Sequence, residues 1–161
     1  HTAFDSAAEG INQRLAQGLG LRGIGPMIPT ADTLGTGRIG WFQDPTSLAT
    51  LADRVKQFLG IDRVAMVGDS AREVRMLGIT CGAADDLLRP AIDAGCECVL
   101  VGEARFHTCL EAEAAGVSLL LPGHFASERF ALEALADVLR KQFPELKVWP
   151  ARRERDPIQW A

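Results

Sequence analysis

Short apolar runs alternate along this chain with segments of helical periodicity, and that alternation limits the fold more than any other feature. Val64–Val67, Val74–Thr80, Cys98–Val101 and Ser118–Leu121 read as strands, the first two separated by a Gly-Asp-Ser turn. Leu48, Leu51, Ala52, Val55 and Phe58 recur at helical spacing behind Thr46 or Ser47 as the N-cap. Further helices are expected around Ala84–Ala94, Phe106–Ala115 and His124–Gln142, with Pro90 acceptable only in a first turn or at a kink. Strands that alternate with helices call for crossover connections, and these favour parallel pairing with helices on the sheet faces. The expected fold class is therefore α/β, with a mixed, largely parallel sheet covered by helices, and residues 1–161 form a single unit.

The flanks are less regular. Ser6-Ala7-Ala8-Glu9 has the form of a capping box, opening a helix that runs to about Leu19 and stops at Gly20. The glycine- and proline-punctuated stretch Leu21–Gly40 reads as a loop ending in a short strand at Arg38–Trp41. A last strand is expected around Leu146–Trp149, before an arginine-rich tail. The chain opens on His1 rather than Met, directly inside a structural segment, so an upstream segment is expected to be missing.

A chain of 161 residues with 47% hydrophobic content can bury a core without staples. Its formal net charge of −4 argues against broad binding to nucleic acid or to an acidic membrane. No apolar run has the length of a membrane span. The cysteines at 81, 96, 98 and 109 contain no C-x-x-C pair and read as buried, reduced thiols of a cytoplasmic protein.

In open α/β sheets ligands bind beyond the carboxyl ends of the strands. All three histidines of the chain fall in such places: His1 at the start, His107 after Val99–Val101, and His124 after Leu119–Leu121. His124 and Glu128 are four apart and share a helix face, and imidazole with carboxylate suits zinc, iron or manganese. Asp5, placed just before a helix start, is the natural third ligand. The same residues also fit an ordinary arrangement, with Asp5 a cap-region acid and His124 a hydrogen-bonded side chain. Glu103 and His107 repeat the spacing of four and read either as a surface pair or as a general acid/base pair at the same rim.

Pro122-Gly123-His124-Phe125-Ala126-Ser127-Glu128-Arg129 resembles the Gly-His-His-Ala-Thr-Glu-Arg signature of the Nif-three-like family, whose bacterial members carry the label type 2 GTP cyclohydrolase I homologues. Gly102-Glu103 with His107-Thr108, His1-Thr2-Ala3-Phe4-Asp5, Gly37-Arg38-Ile39-Gly40, Cys81-Gly82-Ala83 and Asp156-Pro157 resemble further segments of that family. The resemblance covers nearly the whole chain. It implies the C-terminal part of a Nif-three-like fold and a homo-oligomeric, usually hexameric, ring. It also implies a divalent metal centre, of up to two ions in the intact protein. By matching motifs, Asp5, His124 and Glu128 are the implied metal ligands, while His1, Glu103 and His107 line the cleft. The family's paired-histidine segment would lie upstream of His1. Phe125 stands where the signature has its second histidine, and Phe106 where an acid precedes His107.

Two functions follow as expectations. One is a metal-dependent hydrolase of a nucleotide or related small molecule, similar to a GTP cyclohydrolase, with Glu103 or His107 moving protons. The other is a non-catalytic, ring-forming metal-binding protein with an interaction or regulatory role.

Overall fold

A computed structural model describes residues 2–31 and 34–159. The elements, in chain order, are helices α1 (Thr2–Ser6) and α2 (Ile11–Gly18), then strands β1 (Arg22–Gly25), β2 (Ile28–Ala31), β3 (Leu34–Thr36) and β4 (Arg38–Ser47). Helix α3 (Leu48–Leu59), β5 (Ala65–Val67) and β6 (Glu73–Ala83) follow. A single 3-10 turn (Asp85–Leu87) leads into α4 (Leu88–Asp93), then β7 (Cys98–Glu103), α5 (Phe106–Ala114) and β8 (Ser118–Leu121). Helices α6 (His124–Arg129) and α7 (Leu132–Gln142) close the series.

The main sheet has the order β1-β4-β6-β7-β8-β5, and β2 pairs with β3 in a separate hairpin. The sheet is mixed, as expected, but mostly antiparallel rather than largely parallel. Parallel pairing is confined to β6-β7 and β7-β8, the strands joined by the crossover helices α4 and α5. The β1-β4, β4-β6 and β8-β5 pairings are antiparallel.

Alternation along the central strands sorts their side chains into two cores. Leu77 and Ile79 of β6, Cys98 and Leu100 of β7 and Leu120 of β8 face α2 and α3. Val99, Val101 and Leu119 face α4 and α5. The apolar residues of these strands thus divide between the two cores, which is why the runs read as continuously apolar. Helix α3 begins as its sequence requires, with Ser47 Oγ accepting from the Thr50 amide at 3.1 Å. Gly60 ends it in the left-handed conformation, at φ +66°. Pro90 falls in the first turn of α4, where its missing N–H costs nothing.

Several expectations from the flanks are corrected. Ser6 ends α1 rather than opening a helix, and α2 starts behind Gly10 with no side-chain cap. Asp5 therefore lies inside a helix and not before one. Leu21–Gly40 is not a loop: it supplies β1, β2, β3 and the start of β4. Its glycines allow close strand approach, since a Cβ at Gly23 would run into the Trp41 ring. The long helix expected over His124–Gln142 breaks at Phe130–Ala131 into α6 and α7. Ala131 is fully buried in the first core, so packing at the break overrides helical propensity. Leu146–Trp149 forms no strand, and both named residues are exposed.

Candidate metal centre

Because β6, β7 and β8 run parallel, their carboxyl ends lie side by side and bring Cys81-Gly82, Glu103 and the Gly123-His124 turn to one edge. Helix α1 supplies Asp5 from the side. Asp5, Cys81 and Glu128 offer ligand atoms that all lie within 4.8 Å of one another. His124 joins them through Nε2, which is 3.3 Å from Glu128 Oε1, while its Nδ1 sits 2.9 Å from Glu103 Oε1. The structure thus brings Asp5, His124 and Glu128 to one place. Glu103 joins the same centre through His124.

His107 does not. Glu103 is the last residue of β7 and His107 the second residue of α5, so their spacing of four is not that of one helix. His107 is exposed and lines neither of the two cavities that meet at His124. His1 lies outside the described residues.

Close backbone approach makes the cluster possible. Gly82 has φ +63°, and a Cβ there would collide with the Glu128 carboxylate and crowd the His124 ring. Glycine is thus required twice over at this position. The Gly82 amide donates to Ser127 Oγ at 3.0 Å, and that hydroxyl donates to the His124 carbonyl at 2.8 Å. This chain pins the first turn of α6 to the end of β6. Gly102 leaves room for it, because a Cβ there would meet both Ser127 Oγ and the Gly82 backbone.

Asn12 ties the other side. It is almost wholly buried, donates to the Asp5 carbonyl at 3.1 Å and accepts from the Cys81 amide at 2.7 Å. Arg38, only 1% exposed, holds the end of α1 in place. Its guanidinium donates to the carbonyls of Ser6 and Ala7, to those of Gly35 and Gly37, and to Gln13 Oε1, all at 2.7–3.0 Å. A buried cation at a helix C-terminus, with every neighbour an acceptor, is well placed. Burial nevertheless lowers its pKa from the ordinary arginine value.

The electrostatics suit a cation. Burial raises the pKa of Asp5, and also that of Glu128, against the opposing pull of His124. The hydrogen bond that His124 donates to Glu103 raises that of His124. Burial, reinforced by Asp5 and Glu128, pushes the Cys81 thiol far above its ordinary value. Burial leads the shifts of Asp5, Glu128 and Cys81, and neighbouring acids add to those of Glu128, His124 and Cys81, a condition that a bound cation relieves. Carboxylate, imidazole and thiol together are a donor set for zinc or iron rather than for magnesium or calcium. The residues present fit a divalent transition metal. Cys81 is the ligand candidate that reading the cysteines as plain core thiols misses, and its place in the Cys81-Gly82-Ala83 segment is the signal for it.

Two cavities flank the centre. A smaller one of about 230 Å³ is lined by Asp5, Asn12, Cys81, Gly82, His124 and Glu128, among others. A larger one of about 590 Å³ lies on the other side of His124 and Glu128.

The sequence matches the family described as Duf34/NIF3 (NGG1p interacting factor 3) over residues 1–157. Among curated proteins, it is 32% identical over 144 residues to a GTP cyclohydrolase 1 type 2 homolog of Pseudomonas aeruginosa, covering 89% of this chain and 56% of the relative. It is 28% identical to the NIF3 homolog of Schizosaccharomyces pombe, covering 98% of this chain and 61% of that protein. The chain thus spans little more than half the length of these relatives. Among solved structures, a Bacillus cereus protein related to NIF3 superposes with a TM-score of 0.90 at 16% identity, covering 98% of this chain and 71% of that one. That likeness establishes the fold. With the family match running over nearly every residue, the chain belongs to the Duf34/NIF3 family.

Proposed function

We propose that this protein binds a divalent metal at Asp5, Cys81, His124 and Glu128 and uses it to hydrolyse a small molecule of nucleotide-like chemistry. The observation that carries the reading is the convergence of Asp5, Cys81 and Glu128 ligand atoms within 4.8 Å, with His124 adjoining. The label GTP cyclohydrolase 1 type 2 homolog, borne by relatives at 29–32% identity, supports the hydrolytic class. A divalent cation held there supplies Lewis acidity and lowers the pKa of water for attack.

The chain's own residues do the rest. Glu103 accepts from Nδ1–H of His124, which fixes the ring and leaves Nε2 toward Glu128. This makes Glu103 an orienting residue first, and a proton carrier only when Nδ1–H is exchanged. Asn12 and Ser127 hold the backbone of the ligand-bearing segments, so the site is organised before anything binds. His107 is left at the protein surface, where a proton-transfer role requires a substrate that reaches over α5.

A second reading is a ring-forming metal-binding protein without turnover. Phe106 and Leu110, 73% and 47% exposed and one turn apart on α5, favour a subunit contact in a homo-oligomeric, hexameric ring. The buried free thiols at Cys96 and Cys98 fit a reducing cytoplasm. Among the described residues, no helix is long and apolar enough to cross a membrane.

Elemental analysis of the full-length protein tests both readings. Near-stoichiometric zinc, iron or manganese, lost in Asp5→Ala, His124→Ala and Glu128→Ala, is the expected result. Chelator-sensitive turnover of GTP or a related compound separates the hydrolase from the binding protein. Full-length protein that takes up no metal overturns both.

A further inference from the structure

The larger cavity has a polarity that its metal-bearing edge does not share. Glu103, His124 and Glu128 form one side of it, and Phe4, Ile11, Phe125, Leu132, Leu135 and Ile158 supply an apolar wall. Its volume, about 590 Å³, is that of a small-molecule site. The wall includes Phe125, which stands where the resemblance leads one to expect a histidine.

The charges around this wall are one-sided. Glu154 and Asp156 join Glu103 and Glu128 on the lining, and Arg129 is the cation among the lining residues. Arg129 is already committed at every nitrogen. Its Nε meets Glu154 at 2.6 Å, its Nη1 bonds both Glu133 oxygens at 2.8 and 2.9 Å, and its Nη2 donates to the Ala151 carbonyl at 2.8 Å. A phosphate needs free cationic or amide donors, and it would here face several carboxylates. A single divalent ion at the metal centre does not reverse this, because the carboxylates of Asp5 and Glu128 together cancel its charge. An uncharged ring, by contrast, loses little on leaving water and gains contact with the aromatic and aliphatic wall.

We propose that the larger cavity takes a small heteroaromatic compound of nucleobase or nucleoside size that carries no phosphate, its polar edge turned to His124 and Glu128. This rests on the same centre as the proposed function and restricts its nucleotide-like substrates to ring compounds without phosphate. Discrimination against phosphate comes from the acidic rim and from the internal pairing of Arg129. The fit of the ring comes from the apolar wall.

Calorimetric titration of the full-length, metal-loaded protein with guanosine, adenosine and their triphosphates tests this, with metal content measured on the same samples. A nucleoside is expected to bind at least tenfold tighter than its triphosphate. Leu135→Asp is expected to weaken nucleoside binding tenfold or more with metal content unchanged. Glu154→Ala, a change on the exposed rim, removes one carboxylate and frees Arg129 Nε, and is expected to narrow the gap by improving triphosphate binding. Triphosphates that bind as tightly as the nucleosides, or nucleosides that do not bind, overturn the proposal. Metal retained in those samples would leave the metal centre standing, whereas samples without metal would instead remove the centre itself.

Discussion

Glu103 Oε1 accepts from His124 Nδ1 at 2.9 Å, although one residue ends a strand and the other opens a helix 21 positions later. The pairing exists because β7 and β8 are parallel neighbours whose carboxyl ends stop at the same level. It turns an exposed carboxylate into the partner that sets the orientation of a candidate ligand. Glu103→Ala is expected to weaken metal affinity about tenfold to a hundredfold, the usual cost of losing such a partner. His124→Ala is expected to cost more. Chelator competition on the two variants checks the order; equal losses, or none at Glu103, would remove the orienting role.

Gly82 carries a sharper constraint. Gly82→Ala places a methyl at φ +63° and against the Glu128 carboxylate and the His124 ring. The backbone strain alone is expected to cost about 1 kcal/mol or somewhat more. Metal retention should fall further than this stability loss explains, because Glu128 must move. Denaturant titration and metal content, measured together, separate the two effects. Wild-type metal content in a folded Gly82→Ala protein would show that Glu128 is not a ligand.

Among the described residues, Arg38 is the largest wholly buried side chain. Arg38→Met takes a donor from the carbonyls of Ser6, Gly35 and Gly37, and from that of Ala7, which keeps the Gly10 amide. A loss of roughly 3–5 kcal/mol is expected from several buried acceptors left unsatisfied together. Arg38→Lys restores the charge but not the fork, and should recover only part of this. Thermal and chemical denaturation measure both. A change below about 1 kcal/mol in Arg38→Met would contradict the anchoring role.

Asp85 caps α5 from another segment. Its carboxylate accepts from the Arg105 amide at 2.9 Å, from the Thr108 hydroxyl at 2.6 Å and from Arg105 Nε at 2.9 Å. These bonds, the Thr108 hydroxyl foremost, hold its pKa below the ordinary carboxylate value. A depressed folded-state pKa contributes stability that is fully present above the unfolded value and is lost as pH falls through the folded value. Asp85→Asn should therefore cost about 1–2 kcal/mol near pH 7. The variant and the wild type should converge in acid, below the ordinary carboxylate range. Denaturation curves at both pH values test it; a gap that persists in acid would mean the loss is not electrostatic.

Much of the sheet is legible in the sequence. Val74–Thr80, Cys98–Val101 and Ser118–Leu121 are continuous apolar runs because each strand feeds two cores, and Ser47 and Gly60 mark the ends of α3 through capping chemistry that is local. The spacing of His124 and Glu128 is likewise local, being one helical turn. What fails is what packing decides. Ser6-Ala7-Ala8-Glu9 has the composition of a capping box, yet Arg38 draws the Ser6 and Ala7 carbonyls and ends a helix there. Glycines in Leu21–Gly40 signal a loop by propensity, while tertiary contact makes strands of them.

The sequence by itself determined the strand and helix alternation, the His124–Glu128 pair and the family membership, since these rest on local periodicity and on motif identity. Tertiary structure alone decided that Cys81 stands beside Asp5 and Glu128, that Glu103 serves His124 rather than His107, and that Asn12 spans Asp5 and Cys81. The physical reason is strand register. Which carboxyl ends lie side by side depends on how β6, β7 and β8 pair, and pairing is a long-range outcome of burying both faces of the sheet.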